Sequence, residues 1–287
     1  MLFRSRGRMN EGRSYAAAQK LGDVMIGGTV GEVVASRNPR FKPGDHVVGM
    51  GGWQLHGLSD GRDLRKIAAG PVPLQAYLGP VGMPGVTAWY GMNKIIAPKP
   101  GEAVLVSAAT GAVGSVAGQL ARMAGARAVG IAGGPEKCHF AVTELGFDAC
   151  VDHRAPDFAE ALKRALPGGV DGVFENVGGL PLDLALRRLN PFARIALCGL
   201  VASRYDGSPA TVRDISPMLT MRATMQGFIV SEHMEIWPQA LGELGAHVAA
   251  GRIKYRETVA QGLENAPAAF FGMLRGENFG KQLVKLV

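Results

Sequence analysis

Cysteine is scarce in this sequence: Cys138, Cys150 and Cys198 are the only three in 287 residues. They are widely spaced and do not form the local Cys/His pairs of a zinc site. This excludes a disulfide-stapled scaffold and points to reduced thiols. No apolar run reaches the roughly 20 residues a membrane-spanning helix needs, which excludes a helical membrane span. Dense basic tracts are also missing. Lys and Arg number 31 against 24 Asp and Glu, a net charge of +7, but they are scattered, and the 7% of aromatic residues do not interleave with them. A nucleic-acid partner is therefore not expected, and the surplus reads as solvated surface that mildly attracts an anionic cofactor. No signal peptide is visible, and the expected location is the cytoplasm.

What is abundant is apolar residues, at 47%, and glycine, at 41 positions. The length exceeds what one core usually organises, so two lobes are expected, with the composition of a soluble, loop-rich α/β enzyme. The most informative segment is Gly101 to Gly114, a turn, a buried strand and a glycine-rich loop in succession, followed by a helix over Ser115 to Ala124. That order is a dinucleotide-binding unit. Val104 to Val106 suits a central parallel strand. Gly111 lets backbone approach a pyrophosphate, and Gly114 allows close packing of helix on strand, with the phosphates at the helix N-terminus. Ala109 replaces the first glycine of the fingerprint, leaving A-x-G-x-x-G.

The next strand, Ala128 to Ala132, ends in Gly133-Gly134-Pro135-Glu136-Lys137. An NAD-specific unit would carry a carboxylate at that tip for the ribose hydroxyls. Its absence leaves room for a 2'-phosphate, and Lys137, in the first turn of the following helix, is placed to pair with it. NADP(H) is therefore the expected cofactor; the plain alternative for Lys137 is a solvated helix residue.

The first part of the chain reads as strand and turn. Residues 28–35 alternate, and the Pro-Gly turn at Phe41 to Gly49 feeds a second strand. From Ala128 to Gly199 strands and helices alternate: strands at 128–132, 149–152, 172–176 and 194–198, and helices at 136–145, 158–166 and 182–189. The order βαβαβαβ implies a parallel sheet. Gly280 to Val287 reads as one more short strand returning to the first lobe. The expected fold is α/β, a Rossmann-type doubly wound parallel sheet over 80–261, with a β-rich lobe formed by 1–79 and 262–287.

The blocks Arg6-Gly7-Arg8-Met9, Gly27 to Gly31, Gly51-Gly52-Trp53-Gln54, Gly82 to Trp89, Ser107 to Ser115, Glu175-Asn176-Val177-Gly178-Gly179, Cys198-Gly199 and Pro267-Ala268-Ala269-Phe270 occur in one order. In these the sequence resembles the zinc-free medium-chain dehydrogenase/reductases, in their leukotriene/prostaglandin reductase and double-bond reductase branch. The resemblance implies a GroES-like first lobe and a homodimer. It also implies metal-free transfer of hydride from NADPH to the β-carbon of an α,β-unsaturated aldehyde or ketone. A quinone reductase on the same scaffold, or a nucleotide-binding fragment without turnover, is the alternative.

The resemblance places the cofactor diphosphate over Gly111, Ala112, Val113 and Gly114, and the 2'-phosphate at Lys137. It places further cofactor contacts at Asn176, at Cys198 and Gly199, at Phe228, Ile229 and Val230, and at Asn278. Asn176 before two glycines also suits a turn or capping role. Cys198 ends an apolar strand without a neighbouring base, so it is expected to contribute backbone rather than thiol chemistry. Tyr205 stands nearest to the family's tyrosine beside ribose and substrate, in a segment one residue longer than expected, and is the candidate donor to the enolate oxygen; an ordinary loop tyrosine is the alternative. His153, followed by Arg154, replaces a family tyrosine at the adenosine phosphate.

Family members carry roughly fifty more residues before Arg6, ending in an Asp-Pro-Tyr-Met block. Leu2-Phe3-Arg4-Ser5 stands in its place. That tetrapeptide is what the bases CTCTTCCGATCT encode, the end of a widely used sequencing adaptor. The expectation is an N-terminally shortened lobe, with a genuine alternative start as the other reading.

Overall fold

The computed structural model describes residues 18–68, 70–203 and 210–286, and the chain divides into two compact units: 1–83 with 256–287, and 84–255.

The first unit opens with an antiparallel sheet of β1 (Thr29–Glu32), β2 (His46–Gly49) and β3 (Arg65–Lys66). The turn into β2 shows why its sequence is Lys42-Pro43-Gly44-Asp45. Gly44 has φ +87°, which a type II turn demands at its third position. The Asp45 carboxylate accepts the Lys42 N–H at 2.9 Å and pairs with Lys66 on β3 at 2.7 Å.

The second unit begins with α1 (Met83–Tyr90), which runs on into a π-helical turn at Gly91–Ile96. A second Lys-Pro-Gly-acid turn repeats the first: Gly101 has φ +85°, and Glu102 accepts the Lys99 N–H at 2.8 Å. It launches β4 (Ala103–Ser107), followed by α2 (Gly114–Met123), β5 (Arg127–Ala132), α3 (Pro135–Thr143), β6 (Ala149–Asp152), α4 (Phe158–Ala165), β7 (Val170–Glu175), α5 (Gly179–Leu186), β8 (Leu189–Leu197), α6 (Ser216–Thr220), β9 (Thr224–Gly227) and α7 (Trp237–Ala249). The strands form one parallel sheet in the order β6-β5-β4-β7-β8-β9.

Val104, Leu105 and Val106 on β4 and Val173 and Phe174 on β7 are at most 1% exposed, as central strands covered on both faces must be. Helices seal the faces with spaced apolar residues; on α4, Phe158 and Leu162, four residues apart, are the buried pair. Gly91 has no side chain because a Cβ there would strike the Phe174 ring, and Gly118 on α2 is flat for the same reason against Phe147. The chain order reverses between β4 and β7. Ligands of such sheets bind at the carboxyl ends of the strands beside that point.

The helix expected at 182–189 forms at Gly179–Leu186 instead. Pro181 suits a helix's first turn, and Leu189 is already paired with Val170 as the start of β8. The strand expected at 194–198 accordingly begins five residues earlier, at Leu189.

The chain then returns to the first unit as β10 (Glu257–Gln261), α8 (Ala266–Leu274) and β11 (Lys281–Lys285). β10 and β11 pair in parallel, which groups 256–261 with this unit. Phe270 on α8, 2% exposed, packs edge-on against Trp53 at 5.9 Å and ties the C-terminal segment to the early strands. Among the described residues no helix is long and apolar enough to cross a membrane.

Candidate dinucleotide site

The glycine loop leaves β4 through Ala108, whose φ of +50° turns the chain sharply, and Gly111 closes the turn by donating to the Ala108 carbonyl at 2.9 Å. A Cβ on Gly114 would collide with that same carbonyl, so the start of α2 can lie this close only with glycine there; at Gly111 the approach is a looser 3.1 Å. Ala109 fits in place of the fingerprint's first glycine because β5 presents Gly130 opposite it, where a Cβ would come within 2.7 Å of the Ala109 methyl. The N–H groups of Ala112, Val113 and Gly114 take no backbone acceptor among the described residues. Donors so placed at the start of a helix suit an anion.

Beside the loop, at the ends of β4 and β7, lies a buried polar network. Glu175 is 1% exposed, and its Oε1 accepts the Ser107 hydroxyl at 2.8 Å and the N–H groups of Val177 at 2.5 Å and Gly178 at 2.8 Å. Burial raises its pKa, while these donors oppose the rise. Ser107 Oγ in turn accepts the Asn176 N–H at 2.7 Å, and the Asn176 side-chain amide donates to the Ser107 carbonyl at 2.8 Å. The Glu175 carbonyl accepts the N–H groups of Cys198 and Gly199, at 2.8 and 3.1 Å. Gly199 lies against the Asn176 carbonyl so closely that a Cβ would come within 3.0 Å of it. Three strand ends are thus knitted together through Glu175 and Asn176. The turn role of Asn176 is present in the structure, and Cys198 and Gly199 enter through backbone.

Phe228, Ile229 and Val230 follow β9 on the same sheet edge. Phe228 packs against Tyr90 at 5.4 Å, and Val230, 1% exposed, accepts the Trp237 indole N–H at 3.1 Å.

The far end of the edge, at β5 and β6, is charged. Gly134, with φ +98°, precedes Pro135 at the start of α3, and Lys137 sits half-buried in the first turn. Over Gly133 stand His153 and Arg154: a Cβ there would be 2.9 Å from His153 Nε2 and 3.2 Å from Arg154 Nε. The tip of β5 carries no acid of its own, but Asp152 of β6 reaches it. Its Oδ1 accepts the N–H groups of Gly134 at 2.8 Å and Arg154 at 2.9 Å, so that this carboxylate is engaged with backbone. Burial, then the Arg154 charge, hold the Lys137 ammonium below its usual range. Burial, Arg154 and, more weakly, Lys137 lower His153, against a smaller opposing pull from Asp152. Arg154 thus bears on both Lys137 and His153, with Glu136 and Asp152 as the opposing acids.

The structure therefore brings Gly111 to Gly114, Lys137, His153, Asn176, Cys198, Gly199 and Phe228 to Val230 to one edge of one sheet. Asn278 belongs to the other unit, where its amide donates to the Gly280 carbonyl at 2.7 Å. Tyr205 lies outside the described residues. Glu175, Ser107 and Asp152 carry roles that sequence reasoning had not assigned. The signal for Glu175 is a carboxylate directly after the apolar Val173-Phe174 of a central strand.

Two family models match the chain: "N-terminal domain of oxidoreductase" over 4–67 and "Zinc-binding dehydrogenase" over 112–246. The NADPH-dependent curcumin reductase of Escherichia coli is 44% identical over 98% of this chain and 83% of its own length. The chain belongs to the medium-chain dehydrogenase/reductases, in their zinc-free reductase branch. The NADP(+)-dependent 2-alkenal reductase of Nicotiana tabacum is 40% identical over 98% of this chain and 82% of its own length. Among solved structures, Vibrio vulnificus CurA in complex with NADPH superposes with a TM-score of 0.93 at 43% identity, covering 99% of this chain and 86% of that one. One matching family model is described as zinc-binding. Among the described residues of this reductase no group of three or more His, Cys, Asp or Glu could hold a metal ion, so the donor set does not fit zinc.

Proposed function

We propose that this medium-chain reductase uses NADPH to reduce the carbon–carbon double bond of α,β-unsaturated aldehydes and ketones. The observation that carries the reading is the pair His153 and Arg154 over Gly133, with Lys137 within electrostatic reach of Arg154, a cradle for a 2'-phosphate, in a chain that aligns almost throughout with an NADPH-dependent curcumin reductase. Bound NADPH supplies the hydride. The start of α2 receives the diphosphate on the N–H groups of Ala112, Val113 and Gly114, and the Glu175–Ser107–Asn176 network holds the strand ends that face the reacting half. An enone is already electrophilic, so the protein has chiefly to orient it, give its enolate oxygen a hydrogen bond and exclude water. Tyr205 is our candidate for that hydrogen bond, and Asn278 for a further cofactor contact.

The quinone reductase of Escherichia coli complexed with NADPH shares this fold at 22% identity, against 40–44% for the curcumin and alkenal reductases, which favours the enone reading. We also read the protein as a cytoplasmic homodimer. β9 is the outer strand of its sheet, and Phe192 on the adjacent β8 and Ile215 and Leu219 in the segment before β9 are exposed. Such an edge invites pairing with a second copy.

The test is a paired assay of nucleotide binding and of NADPH oxidation dependent on an alkenal, with and without a chelator. The reading expects both binding and turnover, unchanged by the chelator. Binding without alkenal-dependent oxidation would instead identify a nucleotide-binding protein without this activity.

A further inference from the structure

Cys138 and Cys150, twelve residues apart on consecutive elements, are adjacent in space. Cys138 lies in the first turn of α3, directly after Lys137, and Cys150 lies on β6, three residues before His153. Both thiols are half-buried. The Cys150 thiol is hydrogen-bonded to the Cys138 sulfur, which lowers the Cys138 pKa against the opposing effect of burial; the same bond and burial raise that of Cys150. Cys150 is held in place on its other side by Gly130 of β5, where a Cβ would come within 3.0 Å of the Cys150 sulfur. A half-buried thiol in the first turn of a helix, with a second thiol in contact, is the arrangement that favours a reactive sulfur and a resolving partner, here against the opposing charge of Asp152.

We infer that Cys138 and Cys150 form a peroxide-sensitive dithiol site that closes to a disulfide next to the 2'-phosphate cradle. The Cys138 thiolate attacks a hydroperoxide oxygen: the S–O bond forms, the O–O bond breaks, and the alkoxide or hydroxide leaves with a proton. Cys150 then attacks the Cys138 sulfenic acid; the S–S bond forms, the S–O bond breaks, and hydroxide leaves as water with the Cys150 proton. The two sulfurs lose two electrons, and one hydroperoxide becomes one alcohol, or water, and one further water.

Closing the bond draws the first turn of α3 onto β6 and shifts Lys137, which is adjacent in sequence. The oxidised protein therefore binds NADPH more weakly while its hold on NADH is unaffected. This consequence rests on the reading that Lys137 meets the 2'-phosphate.

The experiment treats the full-length reduced protein with hydrogen peroxide, maps its peptides by mass spectrometry and titrates NADPH and NADH before and after dithiothreitol. The expected product is a Cys138–Cys150 cross-linked peptide, with Cys198 left as free thiol. NADPH affinity should fall by about tenfold and recover on reduction. Cys150→Ser should stop at a Cys138 sulfenic acid that dimedone traps, and Cys138→Ser should give neither product. Both thiols remaining alkylatable after peroxide, with no dimedone adduct in Cys150→Ser, would overturn the site. A disulfide that leaves NADPH affinity unchanged would overturn its coupling to the cofactor. Lys137→Ala, titrated in the reduced state, separately tests the phosphate reading.

Discussion

The two ends of the candidate cofactor edge are built by opposite means. At the β4/β7 end the work is done by backbone and by one buried carboxylate: Glu175 gathers the Ser107 hydroxyl and two N–H groups, and nothing there can move without leaving a buried donor unpaired. At the β5/β6 end it is done by accessible side chains: the half-buried Lys137, and the exposed His153 and Arg154, which stand over a glycine that leaves them room. The first arrangement fixes shape and would serve any dinucleotide. The second supplies charge and can be lost without disturbing the sheet. On the proposed reading, recognition of the shared diphosphate and discrimination between NADPH and NADH are separable along one sheet.

Substitutions at the rigid end should therefore be severe and blind to cofactor identity. Gly114→Ala should be the harshest, because its Cβ would meet only backbone, that of Ala108 and Ala109. We expect NADPH and NADH binding to fall together by about a hundredfold or more, roughly 2.7 kcal/mol, by fluorescence titration. Gly111→Ala, with 3.1 Å to the same carbonyl, should fold normally and lose less affinity. Equal losses from the two would break the claim that loop geometry sets the site.

Glu175→Ala should come next. It leaves the Ser107 hydroxyl and the Val177 and Gly178 N–H groups facing a void, at on the order of 1–3 kcal/mol for each unsatisfied group. A lowered midpoint in thermal unfolding and a reduced kcat are expected, with Glu175→Gln, which keeps an acceptor, recovering much of both. A variant as stable and active as the parent would remove Glu175 from the account.

At the charged end the effects should be smaller and selective. Lys137→Ala should weaken NADPH about tenfold, or 1.4 kcal/mol, and leave NADH nearly unchanged. Loss of affinity for both cofactors alike would merge the two ends that the structure separates.

The smallest effect concerns His153. Burial first, and Arg154 next, hold its pKa below the ordinary 6.5, so as the pH falls the unfolded chain takes up the proton before the folded one. Its contribution to stability is complete above the unfolded value and declines as the pH drops from there through the folded value. Bound NADP(+) should oppose the decline, because its phosphate favours the imidazolium. Thermal unfolding followed from about pH 7 to 5, with and without NADP(+), should show a gentler slope in His153→Gln; an identical slope would assign the dependence elsewhere.

Much of this was legible in the sequence, for identifiable reasons. The alternation of Val104–Val106 with a glycine loop and a helix is local, and so is the Gly-Gly-Pro tip before Lys137. The helix at Gly179–Leu186 was placed three residues late because Gly178 and Gly179 look like breakers, although Gly178 serves as the turn into the helix. The role of Asp152 was hidden because its partners lie on the neighbouring strand's turn, and the contact of Cys138 with Cys150 depends on how α3 packs on β6. Neither is a matter of spacing. Glu175 was visible as part of a motif, but its function as acceptor for the end of another strand follows only from the parallel pairing of β4 with β7.

The central claim is that this edge delivers hydride to a conjugated carbon–carbon double bond. Its most direct test is to supply NADPH deuterated at the transferable position together with an alkenal, and to locate the label in the product. The account predicts deuterium on the β-carbon of a saturated aldehyde; deuterium on the carbonyl carbon of an allylic alcohol would contradict it.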